Sequence, residues 1–203
     1  MSKGSQTRQA ILDRGIAMAS VVGLGGVTIG GLAAELGMSK SGLYAHFQSK
    51  EALQLALLQE GSERFVDHVV VPALKHARGE PRVRALLERW FRWASVDGLP
   101  GGCIFVEASV EFDDQPGRVR ERLLGSQRDW LDTLATAARI AVEEGHFRDD
   151  LDPAQFAFEL VSLAHGYHFV ARLLRDPAAR ERAQTSLERL LRDARDGARS
   201  PRP

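Results

Sequence analysis

The sequence predicts an all-α protein of nine helices, divided into a small N-terminal domain and a larger C-terminal domain. Apolar residues recur at the three- and four-residue spacing of amphipathic helices along most of the 203 residues, and no segment shows the alternating pattern of a strand. Glycine, proline, serine and aspartate separate these segments, as is typical of helix ends. A chain of this length buries a core without disulfide bonds, and the single cysteine excludes an internal one.

The first helix is predicted to begin with Thr7 as its N-cap and to end at the glycines of residues 23–26. Its predicted apolar stripe is Ile11, Gly15, Met18 and Val22. We interpret the glycine-rich segment as a flexible turn. A phosphate-binding loop is not favoured, because no strand precedes the segment and no lysine follows at the required position.

The second and third helices lie in residues 28–50, which form the most informative stretch of the chain. Thr28 and Ser39 are predicted N-caps, since their hydroxyl groups accept hydrogen bonds from the first turn of a helix. Gly37 stands where a helix ends in the left-handed conformation. This spacing is that of a helix-turn-helix, whose second helix enters the major groove of DNA. That helix, residues 40–47, contains no carboxylate, which favours a polyanionic partner.

The charge of the chain is uneven. Residues 1–50 contain five basic and two acidic residues, whereas the whole chain has a formal net charge of zero. This excess of positive charge at one end supports nucleic-acid binding. No run of 18 apolar residues predicts a transmembrane helix, and no apolar segment near the N-terminus predicts a secretory signal, so a cytoplasmic location is expected.

The fourth helix is predicted to begin at Lys50, with Ser49 as its N-cap, and to reach about residue 70. We expect a bend at Gly61 and an end enforced by Pro72. Five further helices are bounded by turn residues and by prolines in first-turn positions. Their predicted ranges are about residues 81–94, 103–112, 117–144, 153–174 and 177–196.

The helix-turn-helix residues resemble the N-terminal signature of TetR/AcrR-type bacterial repressors, from about Arg8 to about Leu57. The matching positions are Thr28, Ala33, Leu36–Ser39, Leu43–Phe47 and Ser49–Leu53. The Gly30-Gly31 pair departs from the pattern, which more often has a polar residue followed by Ile or Val. The resemblance implies a DNA-binding domain at residues 1–53 and a ligand-binding and dimerisation domain at residues 54–196. The composition of the remaining segment, residues 197–203, predicts a disordered tail.

The resemblance also implies which side chains contact DNA. Thr28, Tyr44, His46 and Lys50 match positions that contact phosphates, and Ser39, Lys40, Ser41 and Gly42 match positions at the major-groove face. It further implies a homodimer, formed through the eighth and ninth helices, that represses transcription at a pseudo-palindromic operator of double-stranded DNA. A small-molecule effector of unknown identity would release that operator.

The eighth helix is apolar around most of its circumference, which predicts that it is buried on all sides, centrally or at a subunit interface. One apolar stripe includes Phe156, Leu160 and Leu163, and another includes Phe158 and Val161. The ninth helix adds an apolar stripe with charged residues opposite. Its apolar residues are Ala183, Leu187, Leu190, Leu191 and Ala194.

The C-terminal region also contains the candidates for an effector pocket, because aromatic rings with few polar groups are typical of apolar pockets. They are Trp90, Trp93, Cys103, Phe105, Phe112, Trp130, His165 and Phe169. The alternative, that these rings fill an ordinary core, remains open. We interpret Cys103 as a small buried residue in preference to a redox sensor. For His165 and His168, hydrogen bonding in a core or pocket is preferred to metal binding.

No catalytic motif is present. The sequence lacks G-x-S-x-G, H-E-x-x-H and Walker motifs, so no enzymatic activity, cofactor or metal is expected. The acidic residues Glu107, Glu111, Asp113 and Asp114 are interpreted as the solvated end of a short helix. The alternative function is a helical small-molecule carrier or enzyme that retains a helix-turn-helix motif, and such a protein would show no salt-sensitive DNA binding.

Overall fold

The computed structural model describes residues 3–93 and 98–196. Within these ranges the chain forms nine helices and no strand, which confirms the predicted fold class. They are α1 (Lys3–Val22), α2 (Ile29–Glu35), α3 (Lys40–Phe47), α4 (Lys50–Phe65), α5 (Glu80–Trp93), α6 (Ile104–Glu111), α7 (Arg118–Glu143), α8 (Pro153–Arg172) and α9 (Ala179–Asp196). We count as the end of α4 a π-helical turn, Val66–Val70, and a short α-helical segment, Val71–Ala73. The predicted disordered tail lies outside the described residues.

The helices group into two compact units. The first contains α1 to α3, α4 as far as Val66, Trp93 at the end of α5, α6 and the start of α7. The second contains the end of α4, the rest of α5, the rest of α7, α8 and α9. The chain passes from one unit to the other after residues 66, 92 and 127. The functional division predicted at residue 53 stays a prediction. Among the described helices, none combines the length and apolarity that crossing a membrane requires.

In the first unit, α1 buries a face that differs from the predicted stripe. The buried residues of this face are Ile11, Leu12, Gly15, Ile16 and Ala19. Val22 is 53% exposed, so the prediction was wrong at that end. The packing of α1 on α4 decides which face is buried, since a Cβ atom at Gly15 would lie 2.7 Å from Leu57 Cδ2. The predicted N-cap was also wrong, because the helix begins at Lys3 and includes Thr7.

The predicted bend of α4 at Gly61 was wrong. Gly61 is buried in a continuous α-helix, and a Cβ atom there would lie 2.6 Å from Ile104 Cδ1, so the glycine permits a close approach of α6. The helix changes its hydrogen bonding at Val66–Val70 instead. Pro72 lacks an N–H group and its ring crowds the carbonyl of His68, four residues earlier, which accounts for the wider turn at this place. The chain therefore continues helically past Pro72 to Ala73.

In the second unit, α5 buries the apolar face that the sequence predicts. Its buried residues include Val83, Leu86, Leu87, Trp90 and Phe91. Ala94, the last residue predicted for this helix, lies outside the described ranges. The chain forms an α8–α9 pair, and α9 buries Ala183, Leu187, Leu191 and Ala194 as predicted.

The outer face of α8 is exposed within the single chain. Its buried face consists of Phe156, Ala157, Leu160, Ala164 and His168. In contrast, Phe158 is 62% exposed and Phe169 is 51% exposed. The central position of α8 is therefore wrong, because one subunit supplies neighbours for only part of the helix surface. Burial of the outer face at a subunit interface stays a prediction.

Candidate nucleic-acid interface

Three hydroxyl groups fix the starts of the helices around the candidate DNA-reading surface. The backbone N–H of Gly31 donates to Thr28 Oγ1 over 3.0 Å, and that of Gly42 donates to Ser39 Oγ over 3.1 Å. The N–H of Ala52 donates to Ser49 Oγ over 3.0 Å. All three capping residues have extended backbones, as N-caps require. The predicted caps of α2, α3 and α4 are confirmed.

The turn between α2 and α3 is fixed by its backbone. Gly37 has a φ of 63°, the left-handed conformation that favours glycine. The N–H of Met38 donates to the carbonyl of Ala33 over 2.9 Å, so the end of α2 is closed by backbone hydrogen bonding. On the inner side of α3, Leu43 and Phe47 are buried, and these contacts hold the helix in place.

The outward side of α3 presents short polar, basic and aromatic groups. Lys40, Ser41 and Tyr44 are exposed, and Gly42 and His46 are half-buried. No acidic residue occurs in α3. The nearest carboxylate of α2, Glu35, forms an ion pair with Arg14. This surface is therefore suited to phosphates and to the acceptor groups of bases. A further cation that the sequence analysis did not select is Arg8, whose guanidinium lies 5.1 Å from the ring centroid of Phe47.

The glycine pair of α2 has two different local explanations. A Cβ atom at Gly31 would lie 3.0 Å from Thr28 Oγ1, so the small residue leaves room for the capping hydroxyl. A Cβ atom at Gly30 would meet only Lys40 Cε, at 3.9 Å, so the surface beside Lys40 stays open. The departure from the usual pattern is thus compatible with the helix-turn-helix geometry.

Lys50, in the first turn of α4, is exposed, and its ammonium group donates a hydrogen bond to the carbonyl oxygen of Gly25. Gly25 lies in the loop between α1 and α2, and two more hydrogen bonds hold this loop. Gln54 Nε2 donates to the carbonyl of Leu24 over 3.2 Å, and the N–H of Gly25 donates to Glu111 Oε1 over 2.7 Å. The loop is therefore not the unattached flexible turn that the sequence suggested.

Glu111 was also misinterpreted. Glu107, Asp113 and Asp114 are exposed, as expected for the solvated end of a short helix, but Glu111 is half-buried against the α1–α2 loop. Sequence reasoning missed it because its partner is 86 residues away in the chain. The only local signal was the unusual density of glycine in residues 23–26.

Four of the eight candidate effector residues lie in the first unit. Trp93, Cys103, Phe105 and Phe112 are buried there. The ring of Phe65 lies 5.6 Å from that of Trp93 and 6.3 Å from that of Phe105, both in edge arrangements. Burial raises the pKa of the Cys103 thiol, so the reactive thiolate is disfavoured. This supports the interpretation of Cys103 as a small buried residue.

The other four candidates lie in the second unit. The ring of Trp90 lies 5.2 Å from that of Trp130 and 6.2 Å from that of His165. Phe169 is half-exposed on the outer face of α8. Burial lowers the pKa of His165, and the positive charge of His168 lowers it further. No group of three potential ligand residues that could hold a metal ion occurs in residues 3–93 and 98–196.

The second unit also contains an open groove of about 430 Å³. Its lining residues are Val70, Leu74, Arg82, Leu86, Asp129, Asp132, Thr133, Thr136, Ala137 and Ile140. The groove thus combines an apolar surface with two carboxylates and two hydroxyl groups. Arg82 forms hydrogen bonds within the protein, since its Nη2 donates to the carbonyls of Leu74 and His76 over 3.3 and 3.1 Å. None of the eight predicted effector residues lines this groove.

Two protein-family models match most of the chain. Residues 11–57 match the model for bacterial regulatory proteins of the tetR family. Residues 79–187 match the model for a tetracyclin repressor-like C-terminal domain.

Individual proteins show the same relationship. An HTH-type transcriptional repressor, DhaR, from Mycobacterium sp. (strain GP1) is 28% identical over 160 residues, which cover 78% of this chain and 79% of that protein. The crystal structure of a TetR transcriptional regulator from Chloroflexus aurantiacus J-10-fl superimposes with a TM-score of 0.80 at 26% identity, covering 95% of this chain and 96% of the other. AibR, crystallised with isovaleryl coenzyme A and operator DNA, has the same fold, with a TM-score of 0.73, 22% identity and coverage of 91% and 97%.

Proposed function

The chain belongs to the TetR family of bacterial regulatory proteins, which are DNA-binding transcriptional regulators, and on that premise we propose that it represses transcription from a pseudo-palindromic operator as a homodimer. The observation that carries this proposal is the capped helix α3, which presents Lys40, Ser41 and Tyr44 to solvent and contains no acid. A helix with this surface offers hydrogen-bond donors and positive charge to DNA without electrostatic repulsion.

The eight predicted DNA-contact residues divide into two roles. Thr28, Tyr44, His46 and Lys50 contact phosphates, which position the protein, and Ser39, Lys40, Ser41 and Gly42 face the base edges, which specify the sequence. The geometry supports this division. Lys50 is exposed in the first turn of α4, outside the recognition helix, whereas Lys40 is the first residue of α3, whose N-terminal end reads bases in a helix-turn-helix.

Fluorescence anisotropy with operator DNA over a range of salt concentrations tests this function. Lys50→Ala should weaken binding to all sequences and reduce the slope of log K against log salt by about 0.9. Lys40→Ala should instead change the ranking of operator variants as well. If the affinity of the wild type for DNA did not depend on salt concentration, the DNA-binding function would be contradicted and the carrier alternative favoured. An unchanged slope for Lys50→Ala would contradict only the role given to Lys50.

The homodimer is proposed to form through α8 and α9. Support comes from the outer stripe of α8, where Phe158, Val161 and Phe169 follow one another at helical spacing and are exposed or half-buried. A contiguous apolar surface of this kind indicates a protein interface. A two-fold axis brings the same stripe of both subunits together and so makes the interface self-complementary.

An apolar or aromatic small molecule is proposed as the effector, bound by the C-terminal region. AibR, which has the same fold, was crystallised with isovaleryl coenzyme A and operator DNA, which supports a small-molecule site in a regulator of this fold. Within the second unit, the aromatic cluster of Trp90, Trp130 and His165 is one candidate site. The open groove is the other, and its volume lies in the usual range for small-molecule sites.

Effector binding and operator binding should weaken each other by the same factor, since coupling between two sites is reciprocal. A ligand selected by thermal-shift screening is titrated with and without operator DNA, and equal affinity in both would contradict the release model. Trp130→Ala should abolish the response if the aromatic cluster binds the ligand. Thr136→Trp, which fills the groove, should abolish it if the groove does, and Arg128→Trp on the same helix is the matched control.

A further inference from the structure

The α1–α2 loop forms hydrogen bonds to α6 on one side and to the first two turns of α4 on the other, all within the first unit. The Leu24–Gly25 peptide group is bonded on both sides, because its carbonyl accepts from Gln54 of α4 and its N–H donates to Glu111 of α6. The next carbonyl, that of Gly25, accepts from the ammonium group of Lys50. Two adjoining peptide groups therefore stand between a carboxylate of α6 and a cation at the candidate DNA surface.

The approach of Glu111 to this loop requires glycine. A Cβ atom at Gly25 would lie 2.0 Å from Glu111 Oε1, so any larger residue would force the carboxylate out of this position. At Gly23, where φ is +76°, a Cβ atom would lie 3.0 Å from Glu111 Oε2. The carboxylate of Glu111 therefore packs directly against the backbone of the glycine-rich segment.

The second oxygen of this carboxylate has no evident structural use. Glu111 Oε2 is buried and has no hydrogen-bond partner in residues 3–93 and 98–196. A buried carboxylate oxygen without a partner is unfavourable and calls for an explanation. An apolar side chain would fill the same space without leaving an oxygen unpaired. The hydrogen bond that Glu111 accepts from the Gly25 N–H is therefore the interaction that explains a carboxylate at this position.

We propose that Glu111 is a positioning residue for DNA binding, which holds the α1–α2 loop so that the Gly25 carbonyl in turn orients Lys50 toward a DNA phosphate. The inference rests on the proposed phosphate contact of Lys50. An ammonium group has three donor hydrogens, so Lys50 donates one to Gly25 and keeps others for the phosphate. A lysine side chain is flexible, and fixing its conformation before DNA arrives reduces the entropy lost on binding.

The proposal gives α6 a direct connection to the DNA surface that does not run along α4. A second hydrogen bond joins the segment before α6 to the last turn of α1, since the N–H of Gly101 donates to Ser20 Oγ over 2.9 Å. Displacement of α6 would then weaken operator binding through the loop and Lys50.

A double-mutant cycle on the full-length protein tests this role, with operator affinity measured by fluorescence anisotropy from about 0.05 to about 0.5 M NaCl. Glu111→Ala should weaken binding and reduce the salt slope by nearly the same amount as Lys50→Ala, about 0.9. The ratio of wild-type to variant affinity should therefore grow by about eightfold for each tenfold decrease in salt. The double variant should bind like Lys50→Ala alone, because both substitutions remove one contact. Glu111→Gln, which keeps an acceptor oxygen, should retain most of the affinity.

Two further variants separate positioning from folding. Gly25→Ala should reproduce the change in slope, because its methyl group displaces the carboxylate. Asp114→Ala removes the same charge from an exposed position and should leave the slope unchanged. Additive losses from Glu111→Ala and Lys50→Ala, or an unchanged slope in a folded Glu111→Ala protein, would overturn the proposal while leaving DNA binding intact. An unchanged slope in Lys50→Ala would remove its premise.

Discussion

At the scale of single residues, two glycines differ in whether there is space for a larger side chain. Gly101 packs against the backbone of α1, where an added Cβ atom would lie 1.4 Å from the carbonyl oxygen of Ser20. Gly125, in α7, has no neighbouring atom within 4 Å of such a Cβ atom. The first glycine is therefore required by close packing, whereas the second only lowers helix propensity.

The two glycine positions give a paired prediction. Gly101→Ala should lower the free energy of unfolding by roughly 3 kcal/mol, since a backbone atom cannot move aside as a side-chain end does. Gly125→Ala should raise it by up to about 1 kcal/mol through helix propensity. Urea denaturation measures both, and equal effects of the two substitutions would show that the contact at Gly101 is not rigid.

His165 makes stability depend on pH. Burial, followed by the charge of His168, lowers its pKa in the folded protein below the ordinary value of 6.5. The unfolded chain therefore binds more protons, so the stability contribution is complete above about pH 6.5 and is lost as pH falls toward the folded pKa. The melting temperature of the wild type should fall from pH 7 to pH 5, and that of His165→Gln should fall by less. His76→Gln, at an exposed histidine, is the control and should follow the wild type.

At the scale of elements, the start of α3 has a structural and a proposed functional role at the same residue. Ser39 Oγ accepts the N–H of Gly42, and the same end of the helix is proposed to face DNA. Removal of the cap by Ser39→Ala should destabilise the protein by about 1 kcal/mol.

An aspartate at the same position separates the two roles. Ser39→Asp keeps a capping oxygen, so stability should stay near that of the wild type. Its negative charge should nevertheless weaken operator binding through repulsion by the phosphates. Thermal unfolding and anisotropy are measured on both variants. Wild-type affinity in Ser39→Asp would place this helix end away from the DNA.

At the scale of the whole molecule, the exposed rings of α8 decide the proposed assembly. Phe158→Glu together with Phe169→Glu should produce a folded monomer, because both rings are largely outside the core of the subunit. Light scattering should show half the mass of the wild type, and operator affinity should fall strongly. Val110→Glu on α6, at a site that is 74% exposed, is the control and should remain dimeric.

A dimeric Phe158→Glu/Phe169→Glu protein would move the interface away from α8. Leu187 is unsuitable for this test although it belongs to the predicted apolar stripe of α9. It is only 1% exposed within the single subunit, so a charge there would disrupt the core of the subunit.

The sequence by itself determined the helix order and the helix-turn-helix. Capping at Thr28, Ser39 and Ser49 and the left-handed turn at Gly37 depend on residues within a few positions of each other, and such local geometry is encoded directly in the chain. The resemblance to a family depends on the same short segment, whereas the C-terminal family model matches residues 79–187.

Only the tertiary structure decided how distant segments meet. It separated Trp93 from Trp90 into different units, exposed Phe169, and brought Glu111 to Gly25 across 86 residues. Periodicity shows that a face is apolar, but not which neighbour covers it, because the partner depends on how helices cross. The same limit explains the errors at Val22 and Gly61, where the packing of one helix on another overrode local preference.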